Sequence, residues 1–315
     1  MPDLRIIFMG TAELACASLE ALAAQRDFKV MGVVTQPDRP KGRELNLTPS
    51  AVKGAALRLH LPVFQPERAR NEDFISELRG LQPDLIVVAA YGQILPPAIL
   101  DLPRYGCLNV HTSLLPKYRG AAPIQWAILN GDPETGVTIM KMDAGMDTGP
   151  ILTQQATPVR ADDNSQTLHD RLAKIGAELL LATVRDFLAG KIAARPQPAD
   201  GASHARKITR EDGRMDWTKT AGELLNRIRA FTPWPGVFTF MPGKPEPHLL
   251  KIREAEATGG AGQPGQILAA DKSGIVVACG NGALRISTLQ REGGRPMSAG
   301  EFLTGHRLTP GDKLG

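Results

Sequence analysis

Three side chains in the middle of the chain could carry out acyl-transfer chemistry together. Asn109 and His111 lie two residues apart in the run 107–111, which the sequence predicts to be a buried strand. Side chains at this spacing point to the same face of a strand, so the amide and the imidazole lie on one side. Asp147 adds a carboxylate from the glycine-rich run 143–149. An amide N–H can stabilise an oxygen that becomes negative, and a histidine can donate to that oxygen or move a proton near neutral pH. A carboxylate can orient the histidine and accept a proton from an attacking amine.

Other interpretations of these residues stay open on the sequence alone. Each of the three can be structural, because an aspartate in a glycine-rich loop is commonly a turn former. Ser113 is near enough to be a covalent nucleophile, but no serine lies in the G-x-S-x-G pattern that presents one on a sharp turn. A metal site on His111 and Asp147 has no obvious third ligand, so we expect no metal. The set therefore suits acyl transfer to a nucleophile that the substrate brings.

The first half of the chain alternates strand-like and helix-like runs, which predicts a Rossmann-like α/β fold with a mostly parallel sheet. The predicted strands are residues 4–9, 30–35, 63–64, 85–91, 107–111, 136–142 and 151–159. A long helix follows, with a cap predicted at Ser165 and an end near Gly190. Ligands bind beyond the carboxyl ends of the strands in such sheets, and His111 lies at such an end. Only Gly10 follows the first strand, where a dinucleotide fingerprint needs three glycines, so we expect no NAD site.

The last third of the chain predicts a second, smaller domain. Residues 191–205 combine alanine, proline and glycine with little hydrophobic pattern, which is typical of a linker. A short helix at 221–231 and five strand-sized runs separated by glycines follow, and they predict a small barrel of the OB type. The five runs are 237–241, 249–255, 265–270, 274–279 and 283–289. We therefore predict a catalytic domain over 1–190, a linker over 191–207 and a C-terminal domain over 208–315.

Positive charge is concentrated in that last third. Residues 200–315 hold 16 Lys or Arg against 12 Asp or Glu, which accounts for the whole net charge of +4. A second basic element is the connection 36–49, which is long for a strand-to-helix loop and carries Arg39, Lys41 and Arg43. It is either a solvated loop or a basic finger, and its length and charge favour a function. Both elements are typical of a protein that binds an anionic macromolecule such as a nucleic acid.

The composition, with 42% hydrophobic and 22% charged residues, is typical of a globular protein. No apolar run reaches the roughly 20 residues of a membrane span, and the first residues have no signal-peptide pattern, so we expect no membrane partner. Cys16, Cys107 and Cys279 are far apart and match no metal spacing, so we expect them to pack as small hydrophobic side chains. The cytoplasm is the expected compartment.

The central motifs resemble the signature of the folate-dependent formyltransferases. The residues that carry the resemblance are NVHTSLLP at 109–116, YRGAAPI at 118–124, GVTIM at 136–140 and DTG at 147–149. Two further motifs, QPDRP at 36–40 and RAFTPWP at 229–235, resemble the members of that family that act on methionyl-tRNA. The resemblance runs from about residue 4 to about residue 305.

This resemblance implies that 10-formyltetrahydrofolate is the formyl donor and that the amino group of initiator methionyl-tRNA is the acceptor. It places Asn109, His111 and Asp147 at the family's catalytic positions. The segment that it implies for folate binding is Ser113, Leu114, Leu115 and Pro116. The chain departs from the family in its first loop, where Ala12 and Leu14 stand in place of the usual proline and phenylalanine.

We expect two regions to contact the tRNA, the first because of the resemblance and the second because of its positive charge. The basic loop around Arg43, with Arg39 and Lys41, falls on the insertion that meets the acceptor end of the tRNA. The C-terminal domain would hold the RNA backbone, and we expect Lys207 and Arg210 to contribute there. We expect the protein to act as a monomer.

Two rival functions follow from the same residues. One is a formyltransferase for a small amine such as glycinamide ribonucleotide, which shares the three catalytic residues but has neither the C-terminal barrel nor the long basic loop. The other is an RNA-binding module whose α/β half has lost catalysis, and the presence of all three residues argues against it.

Overall fold

The computed structural model describes residues 3–41, 46–243 and 246–315 of the chain. They form two compact units. The first unit is drawn from the residues up to Pro123, from Glu134–Pro158 and from His169–Arg206. The second is drawn from Ile124–Pro133, Val159–Leu168 and Lys207–Gly315. The domain boundaries given above stay a prediction.

Strands and helices alternate along the first two thirds of the chain. In order they are β1 (Leu4–Gly10), α1 (Leu14–Ala23), β2 (Phe28–Val34), β3 (Arg39–Lys41), β4 (Asn46–Thr48), α2 (Ala51–Arg58), β5 (Val63–Phe64), α3 (Glu72–Leu81), β6 (Leu85–Ala89), α4 (Pro97–Leu100), β7 (Cys107–His111), β8 (Arg119–Gly120), α5 (Pro123–Leu129), β9 (Glu134–Lys141), β10 (Ile151–Pro158), α6 (Ser165–Leu188) and β11 (His204–Ala205).

The first unit is built on a seven-stranded sheet in the order β10-β9-β7-β6-β1-β2-β5. The strands β5, β2, β1, β6 and β7 pair in parallel, whereas β9 runs antiparallel to β7 and β10 antiparallel to β9. The order of the strands reverses between β1 and β6, and ligands bind beyond the carboxyl ends of the strands at such a switch point. The predicted α/β fold with a mostly parallel sheet is confirmed.

The central strands are apolar because layers of the protein cover both of their faces. All five residues of β6 and all five of β7 are buried. Burial of a valine, leucine or isoleucine side chain contributes about 1.5–3 kcal/mol relative to leaving it exposed. The sheet is therefore a rigid support for polar side chains that lie at its carboxyl edge.

Side-chain caps define where several helices begin. Ser50 accepts a hydrogen bond from the Lys53 N–H at the start of α2. The predicted cap at Ser165 is wrong by one residue, because the side-chain oxygen Oδ1 of Asn164 accepts from the backbone N–H groups of Gln166 and Thr167 in the first turn of α6. The Ser165 hydroxyl instead donates to the carbonyl oxygen of Thr232. Asparagine and serine are both good caps, so the sequence alone does not decide between neighbours.

The basic connection after β2 contains two short strands that pair as a hairpin, where the sequence predicts a loop. Strands β3 and β4 pair antiparallel, with Arg39 opposite Thr48. At its base, Asp38 accepts hydrogen bonds from Lys53 at 2.6 Å and from Gln65 at 2.8 Å. These bonds lower the pKa of Asp38, that from Lys53 most strongly. Strands of three residues are too short for alternation to reveal them in a sequence.

The second unit contains an antiparallel sheet. The elements that Lys207–Gly315 contributes to this unit are a 3₁₀ turn (Glu211–Gly213), α7 (Ala221–Ala230), β12 (Val237–Met241), β13 (His248–Thr258), β14 (Ile267–Asp271), β15 (Gly274–Ala278), β16 (Ala283–Arg291), β17 (Pro296–Ser298) and α8 (Ala299–Gly305). The strand order is β12-β13-β16-β15-β14, and β17 pairs with β16. All five predicted strands are present, whereas β17 was not expected.

The segment 311–315 forms hydrogen bonds with both edge strands of this sheet, β14 and β12. The Gly311 N–H donates to the carbonyl oxygen of Ile267 in β14, and the Gly315 N–H donates to that of Phe240 in β12. One short segment thus bonds to the first and last strands of the sheet. The unit has the barrel-like form that the sequence predicts.

The three cysteines are free thiols, and Cys107 and Cys279 are buried. Burial raises the pKa of Cys107 to about 12 and that of Cys279 to about 11. None of the helices in the described parts of the chain combines the length and apolar character that a membrane crossing requires.

Candidate active site

The side chains of Asn109, His111 and Asp147 meet at the carboxyl end of β7. The Asn109 Nδ2 lies 3.3 Å from Asp147 Oδ1, and the His111 Nδ1 lies 3.7 Å from the same oxygen. Alternation along β7 puts the amide and the imidazole on one face, and β9 brings in the loop with Asp147 because β9 pairs with β7. Asn109 and His111 are 9% and 6% exposed, and the Asp147 side chain is 17% exposed. The structure therefore brings the three predicted residues together, with the carboxylate nearest to solvent.

One ring nitrogen of His111 is already engaged. Its Nε2 lies 2.9 Å from the carbonyl oxygen of Tyr118. Because a carbonyl oxygen only accepts, Nε2 carries a hydrogen and donates it. In the neutral ring, Nδ1 is then the nitrogen without a hydrogen, and it faces Asp147. Proton uptake by His111 therefore takes place at Nδ1, on the side of the carboxylate.

The Asp147 carboxylate is oriented by a backbone donor. The Gly120 N–H donates to Asp147 Oδ2 at 2.8 Å, which leaves Oδ1 facing Asn109 and His111. Gly120 has a φ of +117°, and a Cβ there would come within 2.7 Å of the Ala205 carbonyl oxygen. Only glycine fits this close approach, so the position of the donor depends on that residue.

The backbone of the Asp147 loop is held by Gln197. Its Nε2 donates to the carbonyl oxygens of Asp147 at 2.7 Å and Gly149 at 2.8 Å. Its Oε1 accepts from the Arg119 guanidinium at 2.7 and 3.0 Å. Gln197 lies in the segment that the sequence predicts to be a linker, and no sequence signal there indicates a role at the site.

The predicted folate-binding segment 113–116 leaves β7 in a closely bonded turn. Ser113 is fully buried, and its hydroxyl donates to the Lys117 carbonyl oxygen at 2.7 Å. This burial and this hydrogen bond argue against Ser113 as a covalent nucleophile. Leu115 is buried, and Leu114 and Pro116 are half-buried.

Thr138 in β9 shapes this segment. Its hydroxyl donates to the Ser113 carbonyl oxygen at 2.6 Å and accepts from the Leu115 N–H at 3.1 Å. Gln154 donates to the same hydroxyl and to the Leu115 carbonyl oxygen, each at 2.9 Å. Nothing in the sequence singles out Thr138, although it lies in the GVTIM motif, because threonine at an inward position of a strand is common.

The basic residues predicted to bind tRNA are dispersed. Arg39 is exposed on β3, Lys41 ends that strand, and Arg43 lies outside the described residues. Lys207 and Arg210 are exposed and belong to the second unit, whereas Asn109, His111 and Asp147 belong to the first. Exposure suits a contact with RNA phosphates.

The arrangement around Asp147 can polarise a carbonyl oxygen and take up a proton. The Asn109 NH₂ group is a donor as it stands, and His111 Nδ1 becomes one when it carries a proton. Both nitrogens face Oδ1 of the partly exposed Asp147 carboxylate. Within residues 3–41, 46–243 and 246–315, no group of three His, Cys, Asp or Glu side chains is placed to hold a metal ion. The chemistry that the described residues support is acyl transfer without a nucleophile from the protein.

Family models match most of the chain. Residues 4–184 match the family described as formyl transferase, and residues 207–307 match the formyl transferase C-terminal domain. The chain belongs to the formyltransferase family, as the motifs predict.

Relatives at high identity share the full length of the chain. The chain is 49% identical over 315 residues to the methionyl-tRNA formyltransferase of Citrifermentans bemidjiense, which covers 100% of this chain and 98% of that protein. It is 50% identical over 309 residues to the methionyl-tRNA formyltransferase of Myxococcus xanthus, and the alignment covers 98% of this chain and 97% of that protein.

Solved structures share the fold at lower identity. The N-formyltransferase from Helicobacter canadensis, in complex with folinic acid and dTDP-3-aminofucose, aligns with a TM-score of 0.63 and 20% identity over 91% of this chain and 98% of that chain. HypX from Aquifex aeolicus, in complex with tetrahydrofolic acid, aligns with a TM-score of 0.64 and 19% identity. The alignment covers 96% of this chain and 48% of the HypX chain.

Proposed function

We propose that this protein transfers the formyl group of 10-formyltetrahydrofolate to the free amino group of initiator methionyl-tRNA, giving N-formylmethionyl-tRNA for translation initiation. The observation that carries the proposal is the convergence of Asn109 Nδ2 and His111 Nδ1 on one oxygen of Asp147. This geometry occurs in a chain that is 49% identical over its full length to a methionyl-tRNA formyltransferase.

In the proposed reaction, the amine nitrogen of the methionyl group attacks the formyl carbon. A new carbon–nitrogen bond forms, and negative charge develops on the formyl oxygen. Asn109 and the protonated Nδ1 of His111 donate hydrogen bonds to that oxygen. Loss of one such donor typically lowers the rate by about 10²–10³.

The Asp147 carboxylate accepts the proton that the attacking amine loses. The Gly120 N–H donates to Oδ2, and Oδ1 faces Asn109 and His111, so Oδ1 is the oxygen to which we assign this proton. The bond between the formyl carbon and the folate nitrogen then breaks, and the leaving nitrogen takes up one proton. The amine loses one proton and tetrahydrofolate gains one, so the reaction consumes no other acid or base.

Two further sets of residues would bind the substrates. The segment 113–116 turns away from β7 beside the proposed catalytic residues, which supports its assignment to the folate. The basic residues assigned to the RNA are Arg39, Lys41, Arg43, Lys207 and Arg210. We propose that the protein works as a monomer in the cytoplasm, where both substrates would be available, and that neither metal nor NAD takes part.

A comparison of acceptors tests this proposal. The purified protein is incubated with labelled 10-formyltetrahydrofolate and with initiator methionyl-tRNA, elongator methionyl-tRNA or glycinamide ribonucleotide. We expect label on the initiator methionyl-tRNA, and formylmethionine after hydrolysis of the ester. Label on glycinamide ribonucleotide alone would support the small-amine enzyme. RNA binding without any transfer would support the non-catalytic RNA-binding module.

A further inference from the structure

We infer that Gln197 is a positioning residue that aims the Asp147 carboxylate at Asn109 and His111. The inference deepens the proposed function, because it rests on the role that we propose for Asp147. Gln197 lies in the segment after α6 and takes no chemical part in the proposed reaction.

The hydrogen-bond partners of Gln197 determine which way its amide faces. A guanidinium only donates, and a carbonyl oxygen only accepts. The Arg119 guanidinium therefore meets the Gln197 oxygen, and the carbonyls of Asp147 and Gly149 meet its NH₂ group. All of these contacts lie between 2.7 and 3.0 Å. Neither a carboxylate nor an apolar side chain can replace this combination of acceptor and donor.

The two carbonyls that Gln197 binds enclose the turn that orients Asp147. Asp147 has a φ of +53°, in the left-handed region that residues other than glycine rarely adopt. Gly149 follows so close to β9 that a Cβ there would collide with the Lys141 carbonyl oxygen. The loop is thus fixed by β9 on one side and by Gln197 on the other. Removal of the NH₂ group would release two carbonyls next to the carboxylate.

Gln197 also ties this loop to the one that holds His111. Arg119, its second partner, lies between Tyr118, which binds the His111 ring, and Gly120, which binds Asp147. The backbone of Arg119 is held by the same segment as Gln197, since its N–H donates to the Ser203 carbonyl oxygen at 2.8 Å. One side chain therefore connects the supports of both titratable residues of the site.

Substitution of Gln197 tests the inference through its effect on kcat. Gln197→Glu keeps the acceptor for Arg119 but presents an oxygen to the two carbonyls, and Gln197→Leu removes both functions. We expect each variant to lose about 10–100-fold in kcat, because misplacement of a reacting group by about 1 Å costs that much. KM for both substrates should change less than about threefold, since neither substrate contacts Gln197 in the proposed arrangement.

Gln25 provides a matched control. It is half-buried like Gln197, donates to a carbonyl oxygen (Ala21, 3.0 Å) and accepts from an arginine (Arg185, 2.7 Å), but it lies just after α1, before the amino end of β2. Gln25→Leu should leave kcat unchanged. Equal losses of kcat in Gln25→Leu and Gln197→Leu would overturn the inference, because they would reflect a general loss of packing.

A double-mutant cycle with Asp147→Asn separates positioning from simple structural support. If Gln197 acts through Asp147, Gln197→Leu should lower kcat strongly in the native background and by less than about twofold in the Asp147→Asn background. Additive losses in the cycle would overturn the inference. Full activity of Asp147→Asn itself would instead contradict the proposed role of Asp147, so the two failures are distinguishable.

Discussion

The ring of His111 donates its Nε2 hydrogen to the carbonyl oxygen of Tyr118 at 2.9 Å. Tyr118 has a φ of +67°, a left-handed conformation that costs a residue with a side chain about 1–2 kcal/mol. This backbone conformation turns the carbonyl towards the ring. Because the ring is held at Nε2, its Nδ1 stays directed at Asp147, where the proton transfer of the proposed reaction takes place.

The first prediction concerns the folate-binding segment. Thr138→Val keeps the shape of the side chain but leaves the Ser113 carbonyl and the Leu115 N–H without their partner, which costs about 1–3 kcal/mol of unfolding free energy. We expect KM for 10-formyltetrahydrofolate to rise about tenfold, with KM for tRNA little changed. Thr138→Ser keeps the hydroxyl and is the control. Steady-state kinetics and thermal unfolding measure both effects, and equal increases of both KM values would contradict the assignment of 113–116 to the folate.

The second prediction concerns the basic hairpin. Arg39→Ala and Arg43→Ala should each lower kcat/KM for initiator methionyl-tRNA by about tenfold or more, the effect of one charged hydrogen bond. They should also reduce the preference for initiator over elongator methionyl-tRNA. Lys29→Ala removes the same charge from the amino end of β2, where the side chain is exposed, and should have no effect. Full rate and full discrimination in the Arg43 variant would mean that the basic connection takes no part in recognition of the tRNA.

A third prediction distinguishes the second unit from the hairpin. Lys207→Ala and Arg210→Ala should weaken binding of all tRNAs alike, because phosphate contacts carry no sequence information. Each lost contact should reduce the slope of log Kd against log salt by roughly one unit. Binding titrations at several salt concentrations measure this slope for each variant and for Lys29→Ala. An unchanged slope in the Lys207 and Arg210 variants would remove these residues from the RNA-binding surface.

A fourth prediction follows from the raised pKa values of the buried thiols. With a pKa of about 12, Cys107 is roughly 0.01% thiolate at pH 8, and the thiolate is the reactive form. We expect iodoacetamide at pH 8 to leave Cys107 and Cys279 unmodified in the folded protein, and the pH–rate profile to contain no thiol titration. Mass spectrometry after labelling checks the first point. Inactivation in step with labelling of Cys107 would mean that this strand opens or that the thiol takes part in catalysis.

The strand periodicity was sufficient to place two of the proposed catalytic groups. Asn109 and His111 share a face because of their spacing of two, and that spacing is visible in the sequence. The backbone groups that orient His111 and Asp147 were not predictable, because the Tyr118 carbonyl and the Gly120 N–H depend on backbone conformation rather than on residue type. Gln197 is 50 residues from Asp147 along the chain, and such a long-range contact leaves no local pattern.

The same limits explain which elements of the fold were missed. The strands with long apolar runs, such as β6 and β7, were predicted because burial determines their composition. The hairpin of β3 and β4 and the edge strand β17 have three residues each, and β17 begins with a proline. Elements this short are stabilised by their neighbours and not by their own sequence pattern.

The most direct test of the central claim is the single-turnover rate of formyl transfer to initiator methionyl-tRNA, with both substrates saturating. We expect Asn109→Ala, His111→Ala and Asp147→Ala each to lower this rate by about 10²–10³. Circular dichroism and unchanged Kd values for tRNA would show that the variants are folded. Formyl transfer at the native rate by any of the three would contradict the role that we propose for that residue, and native rates in all three would contradict the site.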